Sequence, residues 1–211
     1  MTDRSPVFGA AALVLFGLLG AVLVTLAWHQ TAEPIEINER NYRLRVLNEI
    51  VPASRYDNAL FDDSTSAFDP ELLGSNEPVT AYRARKAGAP VAVILPVVAA
   101  RGYSGAIHML VGINADGTIA GVRVSSHRET AGLGDNINID RSQWILGFDN
   151  RSLRDPPPAQ WLVRKDGGQF DQFTGATITP RAVVKAVHNA LLYFEANRNR
   201  LFEEPIGKPE A

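Results

Sequence analysis

An uninterrupted apolar run near the amino terminus dominates the pattern of the chain. Residues 7–28 contain no Asp, Glu, Lys or Arg. As an α-helix this run would extend about 33 Å, which is enough to cross the hydrocarbon core of a bilayer. A cleaved signal peptide has an apolar region of only about 7–15 residues and a small-residue cleavage pattern, which residues 25–28 lack. The pattern therefore predicts an uncleaved membrane anchor, with its short tail, over residues 1–30.

Beyond the anchor the pattern changes to helical spacing and then to a polar segment. Leu44, Leu47 and Val51 recur at helical spacing, which predicts a connecting helix within residues 31–60 that ends near Pro52. Asp, Ser, Gly and Pro recur throughout residues 62–78, so we expect a loop there. Residues 31–78 are accordingly assigned to a connecting helix and loop.

Strand signals dominate the next part of the chain. Four segments have the length and composition of strands, residues 81–86, 91–99, 106–113 and 118–125. Asp116 and Gly117 separate the last two, and they predict a hairpin turn because Asp-Gly tolerates positive φ. A further short strand is expected at residues 161–164, and the Pro-rich residues 155–158 break regular structure.

Apolar residues at helical spacing return near the carboxyl terminus and predict a helix over residues 180–194. They are Val183, Val187, Leu191 and Phe194. Thr179 is the expected N-cap of this helix, and Pro180 its first residue. Helices that flank a run of adjacent strands predict an α+β fold with a largely antiparallel sheet. We expect this domain to span residues 79–200, with residues 201–211 as a tail.

Composition narrows the classes of function. Lys and Arg number 21 against 23 Asp and Glu, and this near-neutral balance argues against a nucleic-acid binder. The chain has no cysteine, which excludes disulfides, thiolate zinc sites, Cys-ligated iron–sulfur clusters and Cys-attached haem. The four histidines are scattered without metal-ligand spacing, so no metal site is expected. Redox work would therefore depend on an organic cofactor.

Charges beside the anchor predict its orientation. Arg4 precedes the apolar run and is partly offset by Asp3, whereas Glu33, Glu36 and Glu39 follow it. The positive-inside rule then favours the tail in the cytoplasm and the main body outside.

The most informative segment is the polar stretch that precedes the last helix, Asp171-Gln172-Phe173-Thr174-Gly175-Ala176-Thr177-Ile178-Thr179-Pro180. Unpaired N–H groups and the positive end of a helix dipole favour a phosphate at such a place. The small residues Gly175 and Ala176 would let a bulky phosphorylated ligand approach the backbone, and Thr177 offers a hydroxyl. From these residues alone, a plain helix cap is the simpler explanation.

A family resemblance changes that balance. Asp171-x-x-Thr174-Gly175-Ala176-Thr177 matches the D-x-x-[ST]-G-A-T motif of proteins with covalently attached FMN. Two upstream segments, residues 102–107 (GYSGAI) and 127–134 (HRETAGLG), occur in the order expected of that domain. With its single anchor and its length, the whole chain resembles the G subunits of Rnf/Rsx electron-transport complexes. The family usually has a proline where this chain has Ala131, which leaves the loop less restricted in φ but removes no ligand group.

The resemblance implies a flavin site. In that family a flavin transferase joins the FMN phosphate to the last threonine of the motif, which is Thr177 here. The cofactor-binding residues that it implies are Thr177, Asp171, Thr174, Gly175, Ala176, Glu129, Thr130, Gly132, Leu133 and Gly134. Glu129 and Thr130 would offer hydrogen bonds and Leu133 an apolar contact to the ring, although a tight connection after a strand explains that segment as well. His127 is expected to be structural, and Tyr103 and Ser104 to line the pocket or form a strand-entry turn.

The resemblance also implies an assembly. It is an ion-translocating oxidoreductase of the ferredoxin:NAD type in the bacterial inner membrane, with this single-pass subunit exposed to the periplasm. Partners would be membrane lipid and the other membrane and iron–sulfur subunits, and the chain would relay electrons without catalytic residues of its own. One alternative is the flavin-bearing C subunit of the sodium-translocating NADH:quinone reductase, which is typically longer between anchor and motif. The other is a non-redox, membrane-anchored extracytoplasmic scaffold in which Thr-Gly-Ala-Thr is only a helix cap.

Overall fold

The computed structural model describes the backbone of residues 6–203, and their side chains except at residues 6, 7, 31–33, 36 and 37. Asp3 and Arg4, on which the predicted orientation depends, lie outside the described residues, as do residues 204–211. The chain divides into two compact units, one that ends at Arg45 and one that begins at Val46.

The first unit is helical. Helix α1 spans Pro6–Ile50, and its segment Phe8–Gln30 is long and apolar enough to cross a membrane. None of the side chains of that segment is buried within the protein. A helix segment that is apolar on all sides fits a lipid surrounding, as the sequence predicts. The predicted connecting helix is not a separate element, because α1 continues without a break to Ile50, two residues before Pro52.

The second unit is built on a five-stranded sheet. Its strands are β1 (Ser64–Ala67), β2 (Val79–Lys86), β3 (Ala89–Ala99), β4 (Ile107–Asn114) and β5 (Ile119–Ser126). They follow the chain order and every neighbouring pair is antiparallel, which confirms the predicted fold class. Strands β2 to β5 agree with the four predicted strands, and the predicted hairpin turn has Gly117 at φ +92.

Two local predictions were wrong. The expected loop at residues 62–78 contains β1, whose Ser and Thr residues pair with β2 and are mostly buried although they are polar. Residues 161–164 do not form a strand, since Val163 makes only an isolated bridge to Phe170 and a 3₁₀ turn, Arg164–Asp166, follows. In both places the presence or absence of a partner strand determines whether the segment forms a strand. A local sequence pattern does not reveal that partner.

Helices and loops cover both faces of the sheet. Helix α2 (Ile178–Glu203) packs the predicted apolar face against one side of it. On the other side, residues from Leu47 to Leu60 form a second buried cluster with Ala84, Ala92 and Ile94. Helix α2 continues nine residues past the predicted end at Phe194, and Leu201 is fully buried, so the expected tail begins inside α2.

Paired glycines allow the end of α1 to lie close to the sheet. Gly112 and Gly121 face each other across β4 and β5. A Cβ atom at Gly112 would overlap Cγ2 of Ile50, and one at Gly121 would lie 3.4 Å from Cα of Ile50. The compact unit therefore begins at the last turn of α1 and includes residues that the sequence placed in a connecting segment.

Candidate cofactor site

The Thr-Gly-Ala-Thr segment forms a tight turn directly before α2. The backbone N–H of Ala176 donates to the carbonyl of Phe173 at 3.1 Å, and Gly175 between them has φ +80. A positive φ at the third residue of a turn strongly favours glycine. Gly175 is thus required by the turn itself, while Thr174 beside it is exposed.

Helix α2 begins one residue after Thr177. Ile178 is its first residue, and the N–H of Arg181 donates to the Thr177 carbonyl at 3.3 Å, which is the first bond of the helical ladder. Thr177 therefore occupies the N-cap position, and the prediction of Thr179 as N-cap was wrong. Pro180 is the third residue of the helix, not the first. Because N–H groups throughout a first turn lack helical partners, proline is tolerated at more than one position there.

The start of α2 is suited to bind an anion. Among the described residues, no hydrogen bond uses the backbone N–H of Thr177, Ile178 or Thr179. The side chain of Thr177 is half-buried. Free N–H groups and the positive end of the helix dipole stabilise negative charge in the first turn. A phosphate at this place would therefore find donors that the fold leaves available.

A cavity of about 240 Å³ adjoins this turn. The predicted site residues that line it are Glu129, Thr130, Leu133, Gly134, Gly175 and Ala176. Tyr103 and Thr179 complete its wall, whereas Asp171, Thr174, Thr177 and Gly132 are not among the lining residues. The structure thus brings together the upstream glycine-rich segment and the motif turn, which lie about 40 residues apart in the chain.

Glu129 joins three parts of this wall. Its carboxylate accepts hydrogen bonds from the backbone N–H groups of Tyr103 at 3.2 Å and Ser104 at 2.9 Å, and from the hydroxyl of Thr179. The side chain is 7% exposed. The sequence predicted that Glu129 would offer hydrogen bonds to a ligand, but its oxygens already accept three bonds from the protein. Sequence reasoning missed Thr179 as the partner, because nothing local connects residues 50 positions apart.

The rest of the upstream segment is ordered by short-range bonds. Nδ1 of His127 accepts the N–H of Glu129 at 3.0 Å, and Nε2 lies 2.8 Å from the side-chain amide of Asn138. The Thr130 carbonyl accepts the N–H of Leu133 at 3.2 Å, and Gly132 between them has φ +75. His127 is half-buried, and its two contacts hold the loop, which is the structural role that the sequence predicts for this residue.

Asp171 lies on the surface and not in the cavity wall. Its carboxylate is 2.9 Å from Arg164, and both side chains are more than half exposed. Its carbonyl accepts the indole N–H of Trp144 at 2.9 Å, and the Trp144 ring packs edge-on against Phe173, with centroids 5.1 Å apart. Trp144 therefore holds the first half of the motif against the aromatic core. It was not identified from the sequence, since it lies 27 residues upstream.

Comparison with known proteins agrees with this geometry. Residues 102–192, which include the cavity wall and the motif turn, match the family described as FMN-binding domain. That match defines the class: the second unit contains an FMN-binding domain.

The whole chain has close relatives. It is 51% identical to the G subunit of the ion-translocating oxidoreductase complex of Pseudomonas aeruginosa, over 98% of this chain and 97% of the relative. The proteins of the same name from Pseudoalteromonas atlantica and Vibrio cholerae are 47% and 44% identical, over 90% and 92% of this chain and 88% and 92% of theirs. The chain belongs to this family of G subunits. With its apolar helix and FMN-binding domain, it fits a membrane-anchored flavoprotein component of such a complex.

Proposed function

We propose that the chain carries FMN on Thr177, through a phosphoester, and relays electrons within an ion-translocating oxidoreductase complex. The observation that supports this most strongly is the place of Thr177. Thr177 occupies the N-cap position of α2, and its hydroxyl is in no hydrogen bond of the described residues. The N–H groups of Thr177, Ile178 and Thr179 are free beside it. Attachment forms a bond between the Thr177 oxygen and the flavin phosphorus. The threonine loses its proton and the phosphorus loses one oxygen substituent as the leaving group, so the chain gains FMN less one water.

The surrounding residues fit such a group. The free N–H groups would offset the charge of the phosphodiester, and Gly175 has no side chain to obstruct it. In the adjoining cavity, Leu133 and Tyr103 offer apolar surface that remains 41% and 68% exposed in the protein alone. FMN, when bound, supplies one- and two-electron chemistry, and the task of the protein is to position the ring and adjust its potential.

The wider assignment follows the family. We propose an Rnf/Rsx-type complex of the ferredoxin:NAD class in the bacterial inner membrane, with the domain on the periplasmic side. Its partners would be the other membrane and iron–sulfur subunits, and a flavin transferase would attach the cofactor. The names of the relatives and the apolar helix support this assignment. They favour it over the C subunit of the NADH:quinone reductase and over a scaffold without redox function.

Co-production of the full-length chain with a flavin transferase tests the attachment. We expect the wild-type band to be fluorescent in a denaturing gel and Thr177→Ser to stay fluorescent, because serine keeps the hydroxyl. Thr177→Ala should be dark. Even the loss of a hydrogen-bonded N-cap costs only about 1 kcal/mol, against a typical stability of about 5–15 kcal/mol. The Thr177 hydroxyl makes no such bond among the described residues, so this variant should still fold.

The matched control is Thr80→Ala, which removes an exposed threonine from β2, outside the motif. It should retain full fluorescence. A fluorescent Thr177→Ala band would assign the flavin to another residue, and a dark wild-type band would exclude a covalent flavin altogether.

A further inference from the structure

Three separate segments of the chain meet at one buried carboxylate. Glu129 accepts the N–H groups of Tyr103 and Ser104, which precede β4, and the hydroxyl of Thr179 in the first turn of α2. Thr179 is fully buried and lies two residues after the proposed flavin acceptor Thr177. The carboxylate therefore fixes one wall of the cavity relative to the residue that would hold the cofactor.

Two glycines make room for this arrangement. A Cβ atom at Gly102 would overlap the carbonyl oxygen of Gly105 and lie 2.9 Å from Oε1 of Glu129. One at Gly134 would lie 2.9 Å from both Cβ of Glu129 and Oγ1 of Thr179. Neither glycine has a positive φ, so backbone conformation does not require glycine at either position. At Gly134 the requirement comes from the close contact with Glu129 and Thr179. Gly134 thus leaves the space that Glu129 and Thr179 occupy, and Gly102 packs against both its own turn and Glu129.

We propose that Glu129 is a positioning residue that sets the reduction potential of the flavin. Its three hydrogen bonds hold the cavity wall at a fixed place relative to Thr177, and its charge lies in that wall. This inference rests on the proposed function, because it takes the cavity as the seat of the ring. It goes further in giving Glu129 an electrostatic role in place of a direct ligand role.

The expected direction follows from electrostatics. Reduction of FMN adds two electrons to the ring system, and up to two protons follow from solvent. The wall carboxylate of Glu129 is only 7% exposed. It opposes the added electrons more strongly than a carboxylate in water would, since the local dielectric is lower. Glu129 should therefore make the flavin harder to reduce and so lower its midpoint potential.

The test is a redox titration of the full-length, flavin-loaded protein in detergent. Glu129→Gln has the same shape without the charge, and it should raise the ratio of reduced to oxidised flavin at least tenfold at a fixed solution potential. That change corresponds to about 30 mV for a two-electron couple. The control is Glu195→Gln, an exposed residue of α2 that lies about 24 Å along the helix from Thr179. It should leave the potential at the wild-type value.

A second pair of variants covers the case in which Glu129→Gln does not fold. Thr179→Val removes the hydroxyl that binds Glu129, and Thr179→Ser keeps it. We expect the visible circular dichroism of the flavin to change in Thr179→Val and to return to the wild-type spectrum in Thr179→Ser. A purely structural role would lower the melting temperature without moving either the potential or the spectrum.

The outcomes separate the two proposals. A wild-type potential in folded Glu129→Gln, or identical flavin spectra in both Thr179 variants, overturns the role of Glu129. If the Glu129 and Thr179 variants still carry the mass of FMN less one water, the proposed function stands without the role of Glu129. A wild-type chain that lacks this added mass overturns both.

Discussion

Substitution of Gly134 by alanine tests the packing around the cavity wall. The new methyl group would lie 2.9 Å from Cβ of Glu129, 2.9 Å from Oγ1 of Thr179 and 3.1 Å from Oε2 of Glu129. These distances are shorter than normal van der Waals contacts. Both neighbouring side chains are buried, so neither can turn into solvent to relieve the overlap.

The cost can be worked from two contributions. Overpacking of a well-packed interior costs about 1–3 kcal/mol. Separation of the Thr179 hydroxyl from Glu129 removes a hydrogen bond to a charged group, which contributes about 1.5–3 kcal/mol. Relief of the overlap and loss of the bond are partly alternative outcomes, so we expect Gly134→Ala to lower the free energy of unfolding by about 2–4 kcal/mol. A domain of ordinary stability, about 5–15 kcal/mol, would remain folded at room temperature.

Denaturant titration of the full-length chain in detergent measures this change. Trp144 and Trp161 lie in the second unit and report its unfolding by fluorescence, while Trp28 lies in the apolar helix. Gly147→Ala is the control, because a Cβ atom there meets no atom within 4 Å. It should change stability by less than about 0.5 kcal/mol. Equal stability of the Gly134 and Gly147 variants would refute the claim that Glu129 and Thr179 are held in tight contact.

Three further predictions concern the surface and the supports of the motif. Asp171→Ala should reduce flavin incorporation strongly and stability only slightly. The loss of stability is small because the exposed ion pair of Asp171 with Arg164 is worth at most about 1 kcal/mol. Unchanged flavin incorporation would contradict this prediction. Trp144→Phe keeps the ring packing but loses the bond to the Asp171 carbonyl, so it should cost about 1 kcal/mol in denaturant titration, and no measurable cost would argue against that bond. Burial raises the pKa of Asp149, an effect partly offset by Arg123. The folded state then binds a proton more tightly than the unfolded state, so stability should fall as pH rises from about 3.8 through the raised pKa. Asp149→Asn should abolish this fall, as measured by thermal melts at several pH values.

The regular elements could be predicted from the sequence because their signals are local. Segments with the length and composition of strands indicated β2 to β5, and Asp116-Gly117 indicated the turn between the last two strands. The apolar run indicated the membrane-spanning part of α1. β1 could not be found in this way, because it is a short polar segment whose pairing with β2 no local pattern indicates.

In the candidate site, too, some features have a local sequence signal and others depend on tertiary packing. The motif turn can be predicted from the sequence, because the positive φ that the turn requires at position 175 favours glycine there. The partner of Glu129 cannot be predicted in this way, because the bond to Thr179 depends on how α2 packs beside the loop that precedes β4. The exact start of α2 was also missed: Thr177 and Thr179 both satisfy the local capping pattern, and only the bond from Arg181 distinguishes them.

Peptide mass mapping tests the covalent attachment most directly. Trypsin should release residues 166–181 from the wild-type chain, after Lys165 and after Arg181, and this peptide contains Thr174, Thr177 and Thr179. We expect this peptide to carry the mass of one FMN less one water, and fragmentation to place that mass on Thr177. The unmodified peptide alone, from cells with an active flavin transferase, or the added mass on Thr174 or Thr179, would contradict the attachment at Thr177.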